Sequence, residues 1–81
     1  MNAAELTARN ARIARTFSRN LPSPCISVCR MNAASGLCEG CFRTLDEIQA
    51  WGIASDGRRR AIWALIEQRI APLLASRGAA P

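Results

Sequence analysis

The chain has 81 residues and a mass of 8.8 kDa, enough for one small domain. Leu, Ile, Val and Phe together number only 17, so apolar packing alone makes a thin core and a staple (a disulfide, a metal or a partner) is expected. His, Lys and Tyr are absent, which excludes Ser-His-Asp triads, Cys-His pairs, HExxH zinc sites, P-loop lysines and Schiff-base lysines, so a self-contained enzyme is not expected.

All 11 cations are Arg, against six acids, a net charge of +5 that suits acidic proteins, nucleic acid or anionic lipid. Residues 2–19 have helical periodicity. Leu6, Ile13 and Phe17 share one side, and Arg9, Arg12, Arg15 and Arg19 share another. This predicts a basic amphipathic helix that docks through its thin apolar stripe or frays, and residues 1–21 read as a basic arm. No run approaches the roughly 18–20 apolar residues of a membrane span. Arg also interrupts any secretory segment at the start. A soluble cytoplasmic protein is expected, and in that reducing compartment cysteines are more often metal ligands than disulfides.

Leu21-Pro22-Ser23-Pro24 should end the helix and open the main unit, residues 22–75. Residues 25–43 hold Cys25, Cys29, Cys38 and Cys41, with Asn32-Ala33-Ala34-Ser35-Gly36 as turn chemistry between the pairs. Thr44 and Glu47 form a capping box for a helix through Leu45, Ile48 and Trp51, whose shared face should be core. Gly52 is the expected stop. Ser55 can cap a last helix with Asp56 in its first turn. Ile62, Leu65, Ile66 and Ile70 form that helix's apolar stripe. Pro72 should end or kink it, leaving residues 76–81 as a flexible tail.

The cysteine spacing is C-x3-C-x8-C-x2-C. In Cys38-Glu39-Gly40-Cys41 two residues between thiols let the chain curl round one ion, and Gly40 permits the tight turn. Cys25 and Cys29 constrain the geometry. In a strand they would lie about 13 Å apart and could not reach one ion through bonds of about 2.3 Å. A shared four-cysteine site therefore needs a turn over residues 25–29, while Ile26, Val28 and Met31 also read as strand. A structural zinc fits the need for a staple, an iron–sulfur cluster uses the same ligands, and two disulfides or reactive thiols remain open.

The runs Pro22-Ser23-Pro24-Cys25-Ile26-Ser27-Val28-Cys29 and Gly36-Leu37-Cys38-Glu39-Gly40-Cys41-Phe42-Arg43-Thr44-Leu45-Asp46-Glu47-Ile48, followed by Trp51, closely resemble the DUF1289 family. These are small bacterial proteins of unknown function, often labelled predicted iron–sulfur proteins. The resemblance covers about residues 22–66 and implies a cytoplasmic protein whose four cysteines form a metal or cluster site. It departs after Trp51, where Asp56-Gly57-Arg58-Arg59-Arg60 replaces the family's Asp-Ala-Glu-Arg-Arg, so Arg58 stands where a glutamate would complete a second capping box.

Arg58, Arg59 and Arg60 read either as a solvated face or as a site for an anionic partner. Arg43 either lies over a negatively charged thiolate site or is an ordinary surface residue. Trp51, Trp63 and Phe42 read as core covering the cysteine loop, and Asp46 and Glu47 are explained by the helix start. The expected fold is a small α-rich, metal-stapled domain: a cysteine-rich loop or knuckle against two helices, with an N-terminal amphipathic helix. The expected function is a metal-binding module, with zinc favoured over iron–sulfur, for a protein or nucleic-acid partner. The alternative is an iron–sulfur redox carrier or a metal- or cluster-handling accessory factor.

Overall fold

The computed structural model describes residues 2–26 and 30–79, with side chains through residue 75. Helix α1 (Ala3–Ala14) is followed by residues 15–26, which form turns and irregular backbone. A two-stranded hairpin follows, with β1 (Met31–Asn32) antiparallel to β2 (Leu37–Cys38). A short helix α2 (Leu45–Ala50) then runs into a 3₁₀ turn at Trp51–Ile53, and a long helix α3 (Asp56–Ala79) closes the chain.

Each helix starts where polar side chains can satisfy its orphan N–H groups. Asn2 and Glu5 form a capping box on α1, with Asn2 N donating to Glu5 Oε1 (3.0 Å) and Glu5 N to Asn2 Oδ1 (2.8 Å). Thr44 and Glu47 do the same for α2, as the sequence predicts. Ser55 Oγ accepts from Arg58 N at the start of α3 (3.1 Å). The hairpin turn is closed by Gly36 N donating to Asn32 O (2.8 Å), and Asn32 Oδ1 also accepts from Ala34 N and Ser35 N. Gly36 has φ of 72°, a left-handed conformation that a side chain would strain.

Ile62, Ile66 and Ile70 of α3 are fully buried, and Leu65 of the same predicted stripe is half-buried. Ile62, Trp63 and Ile66 join Ala11, Ala14, Leu21 and Trp51 in one core, with Phe42 packed against it. Helix α1 thus shares the core. The face it buries differs from the predicted stripe: Ala4, Thr7, Ala11 and Ala14 face inward, while Ile13 and Phe17 are 44% and 40% exposed. Small side chains on this face let the α1 backbone approach Trp63 and the isoleucines of α3.

Leu45, expected in the core, is half exposed, because it opens α2 at the rim of a groove instead of facing α3. Gly52 lies within the 3₁₀ turn, and Pro72 lies inside α3, which continues past it. A proline removes one helical N–H and crowds the carbonyl four residues back, so it does not by itself forbid continuation where one side of the helix faces solvent.

Between α1 and α3 the chain is fastened by specific bonds. Asn20, with φ of 55°, donates its N–H to Asp56 Oδ1 (2.9 Å), and Trp63 Nε1 donates to Pro22 O (3.0 Å). From α1, the fully buried Thr7 Oγ1 donates to Gly40 O (3.0 Å), tying the helix to the cysteine loop. Thr7→Val keeps the shape but leaves the Gly40 carbonyl without this donor. It is expected to cost about 1–3 kcal/mol in urea unfolding, while Thr7→Ser should recover most of that loss.

Candidate functional site

Strand β2 ends on Cys38, and the chain turns through Glu39-Gly40-Cys41 before leaving toward α2. Phe42 N donates to Cys38 O, Cys38 N to Arg43 O, and Glu39 N to Arg30 O, each at 2.8 Å. Leu37 also bridges to Thr44, so residues 37–44 close on themselves as a knuckle. Cys38 and Cys41 are both buried in it. The left-handed residue of the knuckle is Phe42, at φ of 60°. A non-glycine residue there costs on the order of 1–2 kcal/mol. Two contacts offset this: the Phe42 ring packs on the core, and its carbonyl accepts from Arg69 Nη1 (2.9 Å).

Burial pushes the Cys38 thiol up, but backbone N–H groups of Cys41, Gly40 and Arg30 converge on its sulfur and bring it below its ordinary value, which favours thiolate. Burial raises the Cys41 thiol, against the opposing pull of Arg43. Arg43 is only 4% exposed; its Nε donates to Cys41 Sγ (3.2 Å), and its guanidinium lies over the Trp51 ring at 5.3 Å. Arg59 approaches the same ring at 5.5 Å.

Cys25, Cys38 and Cys41 line one groove of about 510 Å³, with Arg43, Leu45 and Trp51 among its walls. Cys25 is exposed on it. Cys29, and with it the expected turn over residues 25–29, lies outside the described residues. Among the described residues no three Cys, Asp or Glu side chains are gathered so as to hold one ion. What is assembled is a buried two-thiol knuckle with a third cysteine on the same groove. Thiolate sulfur of this kind suits thiophilic ions.

The three arginines of the triplet are placed differently. Arg58 is exposed at the start of α3. Arg59 donates to Trp51 O (3.0 Å) and Gly52 O (3.3 Å), holding the end of the 3₁₀ turn. Arg60 donates to Phe17 O (3.5 Å) and Ser18 O (3.2 Å).

Arg69 and Thr7 were not singled out from sequence. Glu47, beyond capping α2, takes a two-pronged ion pair from Arg69, with Nη1 to Oε1 at 2.7 Å and Nη2 to Oε2 at 3.1 Å. The same Arg69 holds the Phe42 carbonyl, so one guanidinium joins α2, α3 and the knuckle. A signal for it existed: Arg69 stands seven residues after Ile62 and three after Ile66, a charge at a core position of the stripe. Thr7 could not be found this way, because its partner is a backbone carbonyl far along the chain.

The family model described as "Protein of unknown function (DUF1289)" matches residues 23–70. The chain is similar to the uncharacterized protein YdhL of Escherichia coli strain K12, 40% identical over 48 residues, 59% of this chain and 60% of that protein. The same figures hold for YdhL of Shigella flexneri and of Escherichia coli O6:H1. The matched region therefore spans about three fifths of these relatives. No solved structure matches. With more than half of its length matched, including all four cysteines, the chain belongs to the DUF1289 family of proteins of unknown function.

Proposed function

We propose that this protein is a small metal-binding module in which Cys25, Cys29, Cys38 and Cys41 hold one metal centre. Zinc is the favoured ion and an iron–sulfur cluster the alternative. The observation that carries this reading is the buried Cys38–Cys41 knuckle, with backbone N–H groups directed at the Cys38 sulfur and Cys25 on the same groove. Such donors favour thiolates, and four thiolates close a tetrahedral site with no position left for substrate. The metal would act as a crosslink between the segment after Pro24 and the knuckle. The role is then binding of a protein or nucleic-acid partner rather than catalysis.

Purification without oxygen, followed by a visible spectrum and metal analysis, tests the reading. A colourless protein with one zinc per chain is expected. Brown colour with iron and labile sulfide would replace zinc by a cluster and favour the redox or cluster-handling role. Protein that holds neither metal, and does not bind added zinc under reducing conditions, overturns the proposal.

A further inference from the structure

Helix α1 docks by its small residues, with Leu6 half-buried and Ile13 exposed. At 100° per residue, Leu6, Arg9 and Ile13 fall within an arc of about 60°, opposite the buried Ala4, Thr7, Ala11 and Ala14. Ile13 and, just past the helix, Phe17 are exposed. A helix serving only the core would bury these two before its alanines. Arg9, Arg12 and Arg19 are exposed around them, and among the described residues no carboxylate lies at ion-pair distance from these three. Arg60 reaches the Phe17 and Ser18 carbonyls from α3 while staying exposed, which adds a fourth cation beside the Phe17 segment.

We propose that this face attaches the protein to an anionic phospholipid surface. Ile13 and Phe17 enter the interface, and Arg9, Arg12, Arg19 and Arg60 meet the headgroup phosphates. Guanidinium groups suit phosphate because their planar donors can bond two oxygens at once. Apolar side chains flanked by cations on one helix face match an interfacial helix. A nucleic-acid strand would instead call for aromatic platforms, and both tryptophans are buried. Among the described residues no helix is long and apolar enough to cross a membrane, so the attachment is to the surface. It needs no rearrangement, because the Ala face of α1 stays on α3.

The test is flotation of the full chain with phosphatidylcholine vesicles containing about 30% phosphatidylglycerol, beside vesicles of phosphatidylcholine alone. The protein should float with the anionic vesicles only and be released by about 0.5 M salt. Replacing Arg9, Arg12 and Arg19 by Gln should weaken binding by about a hundredfold. Ile13→Ser with Phe17→Ser keeps every charge and should weaken it by about tenfold or more. Circular dichroism of each variant should match the parent, since all five positions are on the surface. Three results overturn the proposal: no flotation with anionic vesicles, wild-type flotation by the Ile13→Ser, Phe17→Ser variant, or tighter binding to duplex DNA or an acidic protein than to the vesicles.

Discussion

Replacing Arg69 by methionine is expected to destabilise the protein by about 3–5 kcal/mol. Glu47 is 6% exposed, and Arg69 supplies its counter-charge through both carboxylate oxygens. Methionine retains much of the apolar stem but strands the carboxylate. It also removes the donor on the Phe42 carbonyl, which helps hold that residue in its left-handed conformation. Arg69→Lys keeps the charge but cannot span both oxygens and the carbonyl, so its loss should be smaller, about 1–2 kcal/mol. Pairing Arg69→Met with Glu47→Gln should cost less than Arg69→Met alone, because no buried charge is left behind. Urea unfolding of the four proteins checks this, and a loss below about 1 kcal/mol for Arg69→Met would mean that water screens the pair.

The same pair sets a pH dependence. Burial alone would raise the Glu47 carboxyl. The Arg69 hydrogen bonds, the Thr44 N–H and the charges of Arg69 and Arg58 outweigh it and hold the carboxyl below its ordinary value. Its folded pKa is thus depressed relative to the unfolded chain. The stabilisation is fully present above the unfolded value, about 4.3, and is lost as pH falls through the depressed folded value. Glu47→Gln should therefore flatten the acid limb of the stability curve and leave its neutral region parallel to the parent.

Local signals in the sequence located local structure. Thr44 and Glu47 placed the start of α2, Ser55 and Asp56 that of α3, and the isoleucine stripe marked the buried face of α3, because caps and helical periodicity act within a few residues. The Asn32–Gly36 turn was legible, but the hairpin around it was not, since strands of two residues carry no alternation. Helix α1 was legible as a helix and illegible in its docking. Hydrophobicity ranks Leu6, Ile13 and Phe17 above alanine, whereas the helix docks on α3 through Ala11 and Ala14. The knuckle was visible as Cys38-Glu39-Gly40-Cys41, with Gly40 as the expected source of its turn. The left-handed residue is Phe42 instead, because Arg69 and the core hold it there from the far helix. Contacts of that range leave no mark in spacing.

The proposed metal centre makes the cysteines unequal, and Cys38→Ser should be the most damaging of their single substitutions. Its sulfur is buried where three backbone N–H groups converge, and a serine hydroxyl there is a poor ligand for a thiophilic ion. A structural zinc in a small peptide contributes about 10–16 kcal/mol of apparent binding energy at neutral pH, which is folding energy when no site exists in the unfolded chain. A core of this size supplies only about 3–5 kcal/mol. Cys38→Ser should therefore abolish the cooperative thermal transition and collapse the amide dispersion of residues 22–66. Cys25→Ser should lower metal affinity but keep the fold at saturating zinc, because Cys25 is exposed and water can take its place. A strong chelator added to the wild-type protein should reproduce the Cys38→Ser spectrum, and restored zinc should reverse it. If Cys38→Ser instead keeps dispersed amides and melts within a few degrees of wild type, the isoleucines of α3 and the Glu47–Arg69 pair hold the fold without a metal.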